Sequence, residues 1–233
     1  MKKLTFDYND LLNLQNFSGI VPLFPLPNVV FFPNSLLPLH VFEPRYRQMV
    51  DDIIESERII GMVLLKPGWE KDYYGNPEIF NIACMGKIVS IEEMNEGKSN
   101  IVLYGLKRIK INDIVNEIPY RVASVNVLED VHYQNEEVYQ KRLVELISKW
   151  NSILGDEQKS HKINIDTTMS IENLTDVLTP SIISNVYQRQ ELLEEINILK
   201  RAERILEQLE IKLEIISITS KKINSILEKR HLN

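Results

Sequence analysis

FNIACMGKIVSIEEMNEGKSNIVLYGLKRIKI, residues 80–111, is the stretch that decides the fold. Two apolar, β-rich runs flank Asn95-Glu96-Gly97-Lys98, which supplies turn chemistry. Residues 80–93 and 99–111 therefore read as a β-hairpin. Outward from it lie further β-rich runs: IVPLF (20–24), SLLPLHVF (35–42), IIGMVLL (59–65) and YRVASVNVL (120–128). Short strands broken by turn residues indicate a small β-barrel or sandwich. One helical pattern interrupts them, with Tyr46, Met49, Val50, Ile53 and Ile54 at spacings of three and four. It is expected to plug or flank the barrel.

Residues 131–233 have another texture, with one glycine (Gly155) and one proline (Pro180). Residues 135–153 read as a helix with Val138, Leu143, Leu146, Ile147 and Trp150 as its apolar members, and 155–168 read as a loop. Asn173 to Thr179 reads as a short helix, and from about Ser181 the chain runs without a breaker to about Lys229. Leu206, Leu209, Leu213, Ile216, Ile223 and Leu227 fit a 3/4 spacing there, with Ser220 in the gap. This long helix either packs on a helical subdomain or forms a coiled-coil seam, whose register slips near Ala202–Leu206. The expected organisation is an N-terminal extension (1–17), a β-rich unit (18–130) and a helical unit (131–233).

Composition narrows the function. The net charge of −6 divides into −4 for residues 18–130 and −2 for 131–233. Neither half has the basic footprint of a nucleic-acid binder. Cys84 is the only cysteine, so no intrachain disulfide and no CxxC zinc site is available. The N-terminus lacks the apolar core of a signal peptide, and no apolar run approaches the ~18 residues of a membrane span. The expected location is cytoplasmic.

Catalytic constellations are sought and not found. Gly97-Lys98-Ser99 ends like a phosphate-binding loop, but position 92 is Glu and a strand follows instead of a helix. His40, His132, His161 and His231 stand far apart, with no metal-ligand spacing. His40 lies in an apolar strand and reads as a core histidine. Cys84 lies in an apolar pattern and reads as buried and inert. Asp51-Asp52 and Glu92-Glu93 are neighbours whose side chains point apart. No catalytic residue, metal or cofactor is expected. The loop KPGWEKDYYGNPE (66–78) carries Trp69, Tyr73 and Tyr74, which either fold back on the core or form a peptide-binding surface. Val29-Val30-Phe31-Phe32 reads as core.

PLHVFEPRYRQMV (38–50) reads as a strand-to-helix joint built on Glu43, Pro44, Arg45 and Tyr46. Pro44 suits the first helical turn. Glu43 is placed to accept from free N-terminal amides. Arg45 is expected to pair with a carboxylate of a neighbouring strand, and Phe42 and Tyr46 to pack inward.

VPLFPLPNVVFFPNSLLPLHVFEPRYRQMV (21–50) closely resembles the opening of the N-terminal domain of Lon proteases. Gly86-Lys87-Ile88, Tyr104-Gly105-Leu106-Lys107-Arg108-Ile109 and Pro119-Tyr120 with Ala123 resemble its later strands. The helical tail is similar around Gln190, Leu192, Leu193 and Glu194, with Arg201 or Arg204 beyond. The resemblance implies an α+β fold: a PUA-like β-barrel or pseudobarrel with one helix, then a C-terminal α-helical bundle ending in a long helix. It implies the stand-alone form that lacks the ATPase and peptidase modules. The expected function is a non-enzymatic module that resembles the Lon substrate-recognition domain and binds unfolded or hydrophobic polypeptide; on physical grounds, hydrogen bonding along barrel edges would add affinity by strand addition. The alternative is an adaptor that docks a partner protein, or dimerises, through the long C-terminal helix.

Overall fold

The computed structural model describes residue 14 and residues 17–72, 75–154 and 162–231, with side chains of the last helix described as far as 218. Among the described residues six strands and five α-helices follow in order: β1 (Ile20–Leu26), β2 (Leu36–Val41), α1 (Pro44–Ile53), β3 (Ile59–Leu64), β4 (Ile82–Glu93), β5 (Ser99–Asn116), β6 (Val122–Val127), α2 (Glu136–Ile153), α3 (Ile171–Ile182), α4 (Val186–Glu194) and α5 (Ile198–His231). Two compact units result. One runs to Asp130 and includes Asn185–Ile196; the other holds Val131–Ser184 and the chain from Asn197.

The hairpin at 80–111 is the spine of the first unit. Its turn closes with Met94 N–H donating to Lys98 C=O at 2.8 Å, while Glu96 and Gly97 take φ of 63° and 69°. Gly97 adopts that conformation freely; Glu96 bears the strain of a side chain in the left-handed region. β5 is long enough to serve three neighbours. Its first half pairs with β2, its second half with β6, and β4 runs along both. β6 returns to β1, β1 pairs in parallel with β3, and β3 with β4. Five strands thus close a ring, and β2 stands outside it. A parallel pair needs a crossover. Residues 27–58 provide the one between β1 and β3, and β2 and α1 are carried on it.

Alternation sorts the side chains into two cores. Val21, Leu23, Ile59, Val63, Ala83, Met85, Leu106, Ile109, Ala123 and Val125 come from all five ring strands and fill its interior. Phe31, Phe32, Val41, Ile60, Leu64, Cys84, Ile88 and Leu103 pack outside with α1, through Tyr46, Met49, Val50 and Ile53. Burying Met49, Val50 and Ile53 stabilises by about 1.5–3 kcal/mol each. The expected core roles of Phe31, Phe32 and Cys84 therefore hold. The segment with Phe31 and Phe32 lies so close to the sheet that two paired glycines must face it. A Cβ on Gly105 would overlap the Phe32 carbonyl, and one on Gly86 would meet the Phe31 ring at 2.5 Å.

The run expected to be unbroken from Ser181 to Lys229 is interrupted twice. Asn185 caps α4, its Oδ1 accepting from Tyr187 N (2.9 Å) and Gln188 N (3.1 Å). Asn197 Oδ1 accepts from Lys200 N at 3.2 Å at the start of α5. Free amides at a helix start need such acceptors. The first break lets α4 pack on the β unit. There Gln190 Nε2 donates to Ile82 C=O and Glu194 Oε1, both at 2.9 Å. Leu193 enters the outer core, and its carbonyl accepts from Arg108 Nε at 3.0 Å. Arg108, 2% exposed, also faces Asp130 at 3.7 Å. Two motifs far apart in sequence, around Arg108 and Gln190, thus serve one joint.

In the second unit α5 packs against α2 and α3. Leu143, Leu146, Ile147, Leu174, Leu178, Ile205 and Leu209 are buried in it. The residues of the expected 155–168 loop that are described, from Lys162, are neither helix nor strand; 155–161 lie outside the described residues.

Candidate functional site

The joint after β2 is built differently from its expected form. Glu43 is extended (φ −66°, ψ 134°), and its backbone carbonyl accepts from Tyr46 N and Arg47 N at 3.0 Å. Its side chain makes no cap hydrogen bond. The carboxylate instead takes both Arg45 Nε and Nη2 at 3.1 Å. Pro44 fixes the turn so that these two side chains meet locally, and Arg45 needs no carboxylate from a neighbouring strand. Phe42 does not pack inward: the β2 alternation that buries Val41 turns Phe42 outward, 55% exposed. Tyr46 is buried as expected and stacks on Phe24, with centroids 4.0 Å apart and planes inclined by 16°. The Arg45 guanidinium lies over the Tyr46 ring at 4.7 Å. Phe24, Tyr46 and Arg45 form a column held at its outer end by Glu43.

The loop at 66–78 approaches this column. Its base is tied by Lys66 N to Glu78 C=O at 2.8 Å and by a bridge between Leu65 and Ile79. Trp69–Asp72 form a short 3-10 turn on which Trp69 is half-buried. Tyr73 and Tyr74 lie outside the described residues. Beyond them, Asn76 N bonds Asp72 Oδ2 at 3.2 Å, and Asn76 Nδ2 donates to Glu117 Oε2 at 3.1 Å.

The third wall is the connection from β5 to β6. Arg121 donates to Asn76 Oδ1 (3.3 Å) and to Pro77 C=O (2.8 Å), tying the loop to β6. Tyr120 OH donates to Asp52 Oδ2 at 2.8 Å, tying the same wall to α1. Burial lowers the Arg121 guanidinium from its ordinary value; Tyr46 and Glu117 oppose this and Arg45 adds to it. Burial, followed by the Asp52 hydrogen bond and charge, pushes the Tyr120 phenol up to about 12. Both groups are donors at neutral pH.

The three walls meet at a small cleft with a cavity volume of about 20 Å³, lined by Pro25, Arg45, Tyr46, Leu65, Gly75, Asn76, Pro77, Glu117, Pro119, Tyr120 and Arg121. Its walls are proline and tyrosine faces and two guanidiniums, Arg45 paired with Glu43 and the buried Arg121 donating to Asn76 and Pro77. Among the described residues no group of three or more His, Cys, Asp or Glu is placed to hold a metal.

Arg45 and Tyr46 line the cleft, whereas Trp69 stays on the loop outside its lining. Arg121, Asn76, Pro77 and Tyr120 were not singled out as site residues from sequence. Pro119-Tyr120 stood out only as a strand start, and nothing local joins Arg121 to Asn76 across 45 residues. His40, expected in the core, is exposed; its ring Nδ1 lies 2.8 Å from Asn100 Oδ1. No described helix is long and apolar enough to cross a membrane.

Comparison with known proteins assigns this architecture. The solved N-terminal domain of the Mycobacterium avium complex Lon protease superposes with a TM-score of 0.63 at 14% identity, over 82% of this chain and 98% of that one. A Lon N-terminal domain protein from Xanthomonas campestris gives 0.56 at 21% identity, over 81% and 97%. These likenesses show the α+β fold: a ring-like pseudobarrel with one helix, then helices ending in a long one. Lon protease of Anaeromyxobacter dehalogenans is 25% identical over 214 residues, covering 91% of this chain and 25% of that protein. Lon protease 2 of Myxococcus xanthus is 26% identical, covering 91% and 26%. The chain thus spans about a quarter of the length of these relatives. The model of the ATP-dependent protease La (LON) substrate-binding domain matches residues 20–210, and the chain belongs to the Lon substrate-binding domain family.

Proposed function

We propose that this chain is a non-enzymatic polypeptide-binding module that engages unfolded or hydrophobic segments in cytoplasmic protein quality control. The observation that carries this reading is the cleft in which Arg45 and Tyr46 meet Asn76, Pro77 and Arg121. It offers apolar faces and fixed donors, and no group of three or more His, Cys, Asp or Glu among the described residues is placed to hold a metal. In this reading Trp69, Tyr73 and Tyr74 give the adjoining loop its aromatic anchors for the same polypeptide. The acidic balance disfavours RNA as the ligand.

The test is a fluorescence-anisotropy titration with reduced, carboxymethylated α-lactalbumin, a permanently unfolded protein. Saturable binding is expected, weakened by Trp69→Ala and Tyr73→Ala. No saturable binding would sink the reading.

One observation favours a second reading. On α5, Ile211, Ile215 and Ile218 are 44%, 58% and 58% exposed at i, i+4 and i+7. An adaptor would dock a partner protein on that stripe. Ile215→Glu would then abolish a partner complex or a dimer seen by light scattering and leave unfolded-protein binding intact.

A further inference from the structure

A ring strand has no free edge where it is paired on both sides, so strand addition needs a place where a strand is paired on one side only. β2 is such a place. Among the described residues it pairs with β5 alone. The Gly105 N–H donates to the opposed Ser35 carbonyl at 2.9 Å, which sets the phase of the ladder. Leu37, Leu39 and Val41 therefore exchange bonds with β5, and Leu36, Pro38 and His40 turn their backbone groups away from it. Pro38 independently fits this phase, since it has no N–H for β5 to accept. The outer edge presents the amides of Leu36 and His40 and the carbonyls of Leu36, Pro38 and His40, with no backbone partner among the described residues. Its flanking side chains are apolar and open, Leu36 at 65% and Phe42 at 55% exposure.

We infer that the outer edge of β2 receives an extended polypeptide segment as an added strand, given the reading of this chain as a polypeptide binder. Two comparisons select this edge and this occupant. Past Lys87, β4 also has β5 as its one strand partner among the described residues, but Ile88 N there donates to Arg58 C=O at 2.9 Å, and the stretch carries a register irregularity and ends in exposed Glu92 and Glu93, devices that turn strands away. β2 has only Pro38 in that role. A second copy pairing antiparallel through its own β2 would bring a second proline into the ladder and lose two donors; a foreign strand meets only one such gap. Alternating apolar residues on the incoming strand would lie beside Leu36 and Phe42.

The probe is a fluorescein-labelled ten-residue peptide of alternating Val and Thr with lysine at both ends. Two further peptides are N-methylated at alternate residues, one in each register. Saturable binding of the first to the full chain is expected, with its loss in the methylated register that faces β2. Pro38→Val restores the missing donor and should tighten binding about 5-fold, the value of one net hydrogen bond. His40→Pro removes an outward donor and spares the backbone ladder to β5, though it also loses the ring contact to Asn100, so His40→Ala is its control; relative to that control it should weaken binding about 5-fold. On binding, the Leu36 and His40 amides should become protected from hydrogen exchange.

Equal binding of methylated peptides in both registers would overturn the inference. So would an unchanged affinity in Pro38→Val, or a Pro38→Val protein that dimerises and ignores the peptide. If His40→Pro fails to fold, Pro38→Val and the methylated peptides still decide. If unfolded α-lactalbumin binds in a Trp69-dependent way while the β2 variants change nothing, the edge fails and the polypeptide-binding reading stands. If neither probe binds, both fail.

Discussion

Arg108 and Arg45 both fall in segments that resemble the Lon family, yet they occupy unlike regions of the β unit. Arg108 is 2% exposed and holds the C-terminal carbonyl of α4 together with Asp130. Arg45 is partly open, pairs with Glu43 two residues away, and caps an aromatic column at the rim of a cleft. A buried guanidinium must be matched or it destabilises the fold; an exposed one contributes little to stability and is free to meet a ligand. The contrast separates what this domain uses to fold from what it presents.

The sharpest way to break that contrast is Arg108→Ala. It removes the guanidinium that donates to the Leu193 carbonyl and faces Asp130, and a loss of about 3–5 kcal/mol is expected in urea unfolding. A loss near zero would mean that α4 is held by its apolar contacts alone. Gly105→Ala should cost less, about 1–3 kcal/mol, because the segment at Phe32 must shift to admit the methyl group. Full stability in this variant would show that the segment lies farther from the sheet.

Glu43→Gln lies at the other end. The pair it weakens is partly solvated, so stability should fall by about 0–1 kcal/mol, with polypeptide binding largely intact at low temperature. Selective loss of binding in a fully folded Glu43→Gln protein would move Glu43 from the joint into the binding surface. The smallest expected effect is one of pH. Tyr120 titrates at about 12 in the folded chain, against 10.0 ordinarily. Its contribution is fully present below about pH 10 and is lost as pH rises through about 12, because the neutral phenol is the form bonded to Asp52. Tyr120→Phe should flatten that part of the alkaline melting profile, and an unchanged slope would exclude Tyr120 as its source.

The same division explains what was legible in sequence. Elements with a local signature were readable: the 80–111 hairpin from its turn residues, α1 from the spacing of Tyr46, Met49, Val50 and Ile53, and the core role of Phe31 and Phe32. The breaks before α4 and α5 were also written locally, in Asn185 and Asn197, but helical periodicity masked two ordinary capping residues. Phe42 followed the β2 alternation that its aromatic character obscured. The Arg108–Leu193 and Arg121–Asn76 contacts join residues 85 and 45 positions apart. Such contacts depend on ring closure and on where loops return, so no spacing announces them. The cleft is made of this second kind of contact: the sequence marks Arg45 and Tyr46 as a structural joint and 66–78 as a candidate contact loop, but nothing in it brings the two together.

The central claim is that the cleft and the β2 edge receive polypeptide while the buried joint at Arg108 only holds the fold. Hydrogen exchange of the full chain, with and without saturating reduced, carboxymethylated α-lactalbumin, tests it most directly. The account predicts added protection at the β2 amides of Leu36 and His40 and along residues 75–78 and 120–121, with α4 unchanged. Protection confined to α5 around Ile211–Ile218, or no protection at all, would contradict it.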